Sequence, residues 1–290
     1  KRIEEEGWIE SLDLPVKGGD DHGRKYEPEK IKTLSETLED VFQSIRTPLS
    51  KKEFASFLLY GVTGSGKTEV YIHALKYALE QGRGGLVLVP EIALTPQTVQ
   101  RFYQIFGDQI AVLHSRMSDR ERFEAWQHLK SGEKNIAIGP RSAVFAPVQN
   151  PGLIVVDEEH DSSYKQYDPS PRYHARDVAI MRAHMDNAVV ILGSATPGMV
   201  SVKAVMEKKH SLLQLPDRPT GSMPSVEILS LKEYKGAMRG SLTVELFEEI
   251  DKALAREEQV ILLYNRRGYA SFLQCEDCGH IPESPESSTS

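Results

Sequence analysis

The stretch Phe57-Leu58-Leu59-Tyr60-Gly61-Val62-Thr63-Gly64-Ser65-Gly66-Lys67-Thr68 decides the fold of this chain. Its four leading apolar and aromatic residues predict a buried strand, and the spacing G-x-x-x-x-G-K-T that follows is typical of a phosphate-binding loop. In such a loop, backbone N–H groups surround two phosphates, the lysine reaches the outer phosphates, and the threonine hydroxyl contacts Mg²⁺. Helical spacing of Tyr71, Leu75, Ala78 and Leu79 then predicts a helix whose N-terminus favours an anion. The predicted ATP-binding residues are Gly61, Thr63, Gly64, Ser65, Gly66, Lys67 and Thr68.

Short apolar runs alternate with helical stretches on the C-terminal side of this loop. The runs lie at 86–89, 110–113, 136–138, 153–156 and 189–192. Near-continuous apolar strands separated by helices predict an α/β fold with a mostly parallel sheet covered on both faces. A linker at 216–221, a helix at 242–255 and a strand at 260–264 further predict that a second α/β unit begins near residue 226 and is incomplete.

Composition and net charge argue against two classes of protein: those that coat nucleic acid through bulk charge and those that span a membrane. The 290 residues carry a formal net charge of −7, which argues against a protein that coats nucleic acid through bulk charge. Arginines do cluster locally, and each cluster fits either a phosphate contact or a solvated helix face. No apolar run approaches the roughly 18 residues of a membrane span, and the N-terminus is not a signal peptide, so we expect a cytoplasmic protein with no membrane partner. Because the chain opens on Lys1, we expect it to be part of a longer protein.

A pair of acidic residues follows the apolar run at 153–156, in the sequence Asp157-Glu158-Glu159-His160. At the tip of a buried strand, Asp157 is placed to hold Mg²⁺ opposite Thr68, and Glu158 to orient and deprotonate an attacking water. We therefore predict Lys67, Asp157 and Glu158 as catalytic residues, Thr68 and Asp157 as magnesium ligands, and ATP hydrolysis as the reaction. A strand followed by a charged turn is the alternative.

Two small hydroxyl residues, Ser194 and Thr196, follow the apolar run at 189–192. Loops after strands carry function on this kind of sheet. The two hydroxyls are therefore candidates for a relay between the Asp157-Glu158 turn and a neighbouring domain. An ordinary turn at the end of a strand is the alternative.

The motifs at 61–68, 157–160 and 194–196 occur in the order of motifs I, II and III of superfamily 2 helicases. Longer strings resemble the PriA family of primosomal replication-restart helicases, also called primosomal protein N′, across residues 54–280. These strings lie at 61–71, 89–97, 157–166, 171–177 and 265–270. The resemblance implies a RecA-like P-loop NTPase lobe. It also implies four segments: the end of a winged-helix domain with a linker at 1–30, helicase lobe 1 at 31–225, the start of lobe 2 at 226–274, and a remnant of a zinc-binding insertion with a disordered tail at 275–290.

The resemblance also implies a function. It indicates an ATP-dependent DNA helicase and ATP hydrolase that moves 3′ to 5′, uses ATP and Mg²⁺, and acts in primosome assembly and replication restart at stalled forks. The implied partners are single-stranded and forked DNA, primosome proteins and single-strand-binding protein. Since the rest of the second lobe is missing, we expect this chain alone to bind ATP but to hydrolyse it weakly or not at all, and not to unwind DNA. The alternatives are a nucleotide-gated DNA-binding or partner-docking module without motor activity, and another superfamily 2 translocase.

Family motifs place DNA contacts on two sets of residues. The first set is Thr95, Gln97, His114, Arg141 and Ser142. The second lies in a segment that interleaves aromatic and basic residues, as a surface that stacks on single strands requires, and that resembles the family's aromatic-rich loop: Tyr164, Lys165, Tyr167, Arg172 and Tyr173. A tyrosine-rich surface loop without DNA contact is the alternative. By the same resemblance, His160 joins Ser194 and Thr196 in coupling hydrolysis to movement.

Three features depart from the family pattern. Pro140 replaces a threonine before Arg141, which removes a hydroxyl and an N–H donor. The glutamine expected to recognise adenine is not evident at 34–38. Cys275 and Cys278 resemble the opening of the zinc-binding insertion, but Ser284 and Ser287 stand where the next two cysteines belong. Because a structural zinc site needs four ligands and only Cys275, Cys278 and His280 are present, we expect zinc to be absent here.

Overall fold

The computed structural model describes residues 29–218, 225–229, 236, 238–239 and 242–263. The predicted zinc ligands Cys275 and Cys278, the predicted winged-helix segment up to residue 28 and the string 265–270 lie outside them. The chain divides into two compact units, residues 1–223 and 224–290. Within the described residues, no helix is both long enough and apolar enough to cross a bilayer.

The first unit alternates helices and strands. Its helices are α1 (Glu36–Lys51), α2 (Lys67–Glu80), α3 (Pro96–Phe106), α4 (Asp119–Ser131), α5 (Ala175–Met185) and α6 (Met199–Met206). Its strands are β1 (Ala55–Gly61), β2 (Gly84–Leu88), β3 (Ile110–Val112), β4 (Ile136–Gly139), β5 (Pro151–Val156), β6 (Val189–Ser194) and β7 (Ser211–Leu215). Short 3-10 turns lie at Glu91–Ala93, Gly107–Gln109, Arg141–Phe145 and Ser162–Tyr164.

The seven strands form one sheet in the order β3-β4-β2-β5-β6-β1-β7, and every neighbouring pair is parallel. The predicted parallel sheet is therefore confirmed. Helices α1 to α3 pack on one face and α4 to α6 on the other, which is why all residues of β4, β5 and β6 are buried. Because β5, β6 and β1 are adjacent and parallel, the loops that follow them meet at one edge of the sheet.

Two elements differ from the sequence prediction. Strand β7 was not predicted, since its residues Ser211–Leu215 are largely exposed on the sheet edge and lack an apolar run. It forms because it pairs with β1 in parallel register. The predicted strand at 260–264 is wrong for residues 260–263, which have no regular structure; Ile261 and Leu263 are 95% and 91% exposed. A strand needs a hydrogen-bonding neighbour, and no described strand pairs with these residues.

The second unit contains one antiparallel pair, β8 (Met238–Arg239) with β9 (Leu242–Thr243), and helix α7 (Val244–Ala255). The predicted helix at 242–255 is thus confirmed, beginning two residues later. Thr243 explains the start of the helix, because its side-chain oxygen accepts the N–H of Leu246 and satisfies one of the free donors of the first turn.

Candidate nucleotide-binding site

The loop between β1 and α2 has the backbone of a phosphate-binding turn. Gly64 and Gly66 have φ values of 79° and 95°, a left-handed conformation that glycine adopts without steric cost. Gly66 directly precedes α2, so the unpaired N–H groups of the first helical turn lie at the loop. The buried Lys67 extends back across this turn, and its Nζ donates to the Gly61 carbonyl at 2.7 Å and to the Val62 carbonyl at 3.4 Å. All predicted ATP-binding residues therefore lie in one turn.

Asp157 lies just after β5, where its N–H donates to the Leu88 carbonyl. Its Oδ1 accepts a 3.0 Å hydrogen bond from the Tyr71 hydroxyl. Since Tyr71 is three residues after Thr68, both side chains lie on the same side of α2, and Asp157 faces that side. Burial, and next the neighbouring Glu158, raise the pKa of Asp157.

The same residues fit a magnesium ion. A divalent cation beside Asp157 would offset the cost of burying its charge. Carboxylate and hydroxyl oxygens are hard ligands, and Mg²⁺ is held in nucleotide sites by one or two such groups together with phosphates and waters. Asp157 and Thr68 supply such a set. In the described part of the chain, no group of three or more His, Cys, Asp or Glu residues is placed to hold a metal alone.

The contact between Tyr71 and Asp157 was not predicted from the sequence, in which Tyr71 is only one of the residues that recur at helical spacing. Gly193 makes the contact sterically feasible, because a Cβ there would lie 1.7 Å from the Tyr71 hydroxyl. Burial, with Asp157 second, raises the pKa of Tyr71 well above its usual value. The hydroxyl therefore stays protonated and donates to the carboxylate. One feature of the sequence could have indicated this contact: Tyr71 follows Thr68 by three residues, so the two side chains lie on the same face of the helix.

Glu158 has a φ of 45°, a left-handed conformation that costs a non-glycine residue about 1–3 kcal/mol and is concentrated at functional sites. Its side chain is partly exposed, and its Oε2 lies 3.7 Å from Nδ1 of His160. The carboxylate is thus accessible to water next to Asp157, which is the arrangement that a general base requires.

His160 joins the loop after β5 to the loop after β6. Its Nδ1 is 2.8 Å from Ser194 Oγ, and its Nε2 is 3.3 Å from Thr196 Oγ1. The Thr196 N–H also donates to Ser194 Oγ at 2.9 Å. The three residues predicted to couple hydrolysis to movement are therefore in direct contact with one another.

Glu159, for which the sequence predicted no role, follows Glu158 and is fully buried. Its Oε1 accepts the Gly198 N–H at 2.7 Å, and its Oε2 accepts from Ser201 Oγ at 2.7 Å and Arg176 Nη1 at 3.2 Å. These partners belong to α5, α6 and the turn before α6. Glu159 therefore fastens the Asp157-Glu158 loop to two helices, and its carboxylate is not available for chemistry.

Comparison with known proteins agrees with this geometry. Residues 39–205, more than half of the chain, match the family model described as DEAD/DEAH box helicase. The chain belongs to the DEAD/DEAH box helicase family.

Among relatives of this DEAD/DEAH box helicase chain, the replication restart protein PriA of Bacillus subtilis (strain 168) is 44% identical over 254 residues, covering 87% of this chain and 31% of the relative. PriA of Chlamydia trachomatis serovar D is 41% identical over 280 residues, covering 96% and 37%. The resemblance seen in the sequence is thereby confirmed. The chain spans about a third of the length of the curated relatives it matches.

A structure of RecG bound to a three-way DNA junction shares the fold, with a TM-score of 0.54 and 18% identity over 79% of this chain and 31% of that one. The fold is thus that of RecA-like helicase domains, as the resemblance implied.

In this helicase-family chain, the aromatic segment divides into buried and exposed parts. Tyr164 is fully buried, and its hydroxyl donates to the backbone carbonyl of Asp157 at 2.6 Å. Because its ring has no exposed face on which a base could stack, the predicted DNA contact of Tyr164 is not supported. Tyr167 is 70% exposed and Arg172 is also exposed, so these two keep the exposure that stacking and phosphate contact need.

The other predicted DNA contacts of the segment are partly covered. Lys165 is half-buried and pairs with His174 in an antiparallel bridge. Tyr173 packs edge-on against Phe145, with ring centroids 5.1 Å apart. Arg141, after β4, donates through Nη1 to the Lys165 carbonyl at 2.8 Å. Arg141 is thus joined to the aromatic segment.

The remaining predicted contacts lie in separate segments that follow β2, β3 and β4 at the same edge of the sheet. Thr95 caps α3, where its Oγ1 accepts the Thr98 N–H at 3.3 Å. Gln97 is the second residue of that helix and is exposed, His114 is half-buried after β3, and Ser142 is exposed after β4. The structure therefore brings these residues to one edge without bringing them into mutual contact.

Proposed function

We propose that this chain forms the ATP-binding part of an ATP-dependent DNA helicase that acts in replication restart. The proposal rests on three groups of residues that meet at the ends of the adjacent strands β1, β6 and β5. The phosphate-binding turn with Lys67 follows β1, and the Asp157-Glu158 pair follows β5. The Ser194 and Thr196 hydroxyls, at the end of β6, are bonded to His160. Similarity to PriA relatives supports replication restart over other translocases. We further propose 3′ to 5′ movement, assembly with primosome proteins and single-strand-binding protein at stalled forks, and a cytoplasmic location.

Each residue of the site has a chemical role in the proposal. Backbone N–H groups of the turn hold the phosphates, and the Lys67 ammonium offsets the charge on the outer ones. Asp157 and Thr68 would hold Mg²⁺, which neutralises phosphate charge when bound. Glu158 takes a proton from the attacking water. His160 contacts both the loop of Glu158 and the loop of Ser194, so a change in the conformation of one loop shifts the other. We propose that this stretch alone binds ATP but turns it over weakly.

The nucleotide-binding step is tested by Lys67→Ala. We expect affinity for a fluorescent ATP analogue to fall tenfold or more, since a lost hydrogen bond to a charged group costs about 1.5–3 kcal/mol. Lys76→Ala is the matched control, because Lys76 is an exposed lysine on the same helix. Equal affinity of the two variants would contradict the assignment.

The DNA-binding step is tested by Tyr167→Ala. We expect affinity of the chain for a labelled single strand, measured by fluorescence anisotropy at fixed salt, to weaken by about 1–3 kcal/mol, the value of one base–aromatic stack. Tyr164→Phe is the control, since it removes only the buried hydroxyl that donates to Asp157. A Tyr167 variant that binds DNA as tightly as the Tyr164 variant would show that the segment is an ordinary surface loop.

The zinc prediction stays a prediction, since Cys275 and Cys278 lie outside the described residues.

A further inference from the structure

An ion pair joins helices α2 and α3 beside the phosphate-binding turn. Nη2 of Arg101, on α3, donates to Oε1 of Glu69, which lies in the first turn of α2. The side chain of Arg101 is 29% exposed and that of Glu69 is 18% exposed. Oε2 of Glu69 is buried and has no hydrogen-bonding partner among the described residues. Because separating the pair would leave this carboxylate without its compensating charge, the two helices are held together here.

The Glu69 end of the pair is attached to the candidate catalytic site. Glu69 directly follows Thr68, the proposed magnesium ligand. It lies two residues before Tyr71, whose hydroxyl donates to Asp157 at 3.0 Å. These three residues of α2 belong to one stretch of hydrogen-bonded helix, which moves as a unit. A displacement of Glu69 therefore shifts Thr68 and Tyr71 together.

The Arg101 end of the pair is attached to the predicted DNA contacts at the start of α3. Arg101 is four residues after Gln97, so the two side chains lie on the same face of that helix, and Thr95 caps the helix. A polar pocket of about 430 Å³, which Thr68, Gln97 and Arg101 help to line, lies between this face and α2. The ion pair therefore bridges a part of the interface between the helices that close packing does not fill.

We propose that Arg101 and Glu69 are positioning residues that couple DNA contact at the start of α3 to ATP hydrolysis at the phosphate-binding turn. The inference rests on the proposed function, in which residues 61–68 bind ATP and Thr95 and Gln97 contact DNA. Coupling between two sites is carried by rigid elements joined through side-chain contacts. Helices α2 and α3 are such elements, and the ion pair is a contact that joins them.

The proposed link works through the first turn of α2. A single strand that shifts the start of α3 moves Arg101, and Glu69 follows because the pair resists separation. The turn then moves Thr68 and Tyr71 into the positions that support hydrolysis. This path runs through two helices, and it is separate from the loops after β5 and β6 that His160 joins. Removing the pair should therefore affect the response to DNA more than hydrolysis itself.

The test measures ATP hydrolysis by the full-length protein as the concentration of a thymidine single strand is raised. For Arg101→Ala we expect the rate without DNA, and the affinity for the strand without nucleotide, to stay unchanged. Stimulation by DNA should fall about tenfold or more, which is within the usual range of coupling between two sites. Arg101→Lys should restore part of the stimulation, because an ammonium can still pair with Glu69. Lys76→Ala is the control and should keep full stimulation, since it removes an exposed lysine that pairs with Glu80 on α2.

The double variant Glu69→Gln with Arg101→Gln guards against misfolding, because it removes both charges and leaves neither uncompensated. It should lose stimulation to the same extent as Arg101→Ala, since the two residues act as one unit. Unchanged stimulation in both variants, or an equal fall of the rates with and without DNA, would overturn the inference and leave the proposed function standing. An unmodified protein whose hydrolysis does not respond to DNA would overturn both.

Discussion

Arg176→Ala should lower the free energy of unfolding of this chain by about 3–5 kcal/mol, the cost of leaving a buried charge without its partner. Arg176 is nearly fully buried, and its Nη1 donates to the fully buried Glu159. Ser201 and the Gly198 N–H would still bind that carboxylate, but they carry no positive charge. The measurement is a urea titration followed by circular dichroism.

Arg172→Ala is the control for this change, because Arg172 is an exposed arginine four residues earlier and surface substitutions usually stay within about 0.5 kcal/mol. Adding Glu159→Gln to Arg176→Ala should recover part of the lost stability, since it removes the unpaired charge. A loss below about 1 kcal/mol in the single variant would mean that water reaches Glu159 and that the ion pair does not fasten the Asp157-Glu158 loop.

Glu158→Gln should reduce steady-state ATP hydrolysis by about 10²-fold or more, the usual contribution of a general base, while nucleotide affinity stays unchanged. Glutamine keeps the size of the side chain but cannot accept the proton of water. Affinity should persist because Lys67 and the turn at 61–68 are built separately from Glu158. The effect is measured in the full-length protein with single-stranded DNA present, together with a titration of the ATP analogue.

Glu80→Gln serves as the control for Glu158→Gln, since Glu80 is an exposed glutamate at the end of α2. Two outcomes would contradict the assignment. Retained hydrolysis would mean that another residue positions the water. Loss of nucleotide binding along with hydrolysis would mean that Glu158 acts through the shape of its loop, where its left-handed backbone is sensitive to change.

Much of the fold and of the candidate site was predictable from local pattern. Apolar runs of three or four residues located β1, β2, β3, β4, β5 and β6, because a strand covered on both faces has to be apolar along its whole length. The edge strand β7 was not predicted for the same reason: it is largely exposed to solvent and so has no continuous apolar run. The turn at 61–68 was predictable because glycine spacing directly sets the backbone conformation that surrounds phosphates.

Roles that depend on distant neighbours were not predictable. Tyr164 and Tyr167 have the same side chain in the same segment, yet one is buried against the Asp157 carbonyl and the other is 70% exposed. Glu158 and Glu159 are adjacent glutamates, yet one is open to water and the other is enclosed by Arg176, Ser201 and Gly198. Nothing in the local spacing distinguishes the members of either pair.

The sequence by itself determined the parallel α/β fold, the phosphate-binding turn and the acidic pair after β5, because strand burial, loop conformation and position at a strand end follow from neighbouring residues along the chain. Only the tertiary structure decided that Tyr71 reaches Asp157, that His160 binds Ser194 and Thr196, and that Tyr164 is buried while Tyr167 is exposed. The contacts of Tyr71 and His160 join residues that are 34 to 86 positions apart in the chain, and the burial of Tyr164 also depends on distant residues. These residues come together only because β5, β6 and β1 lie side by side in the sheet.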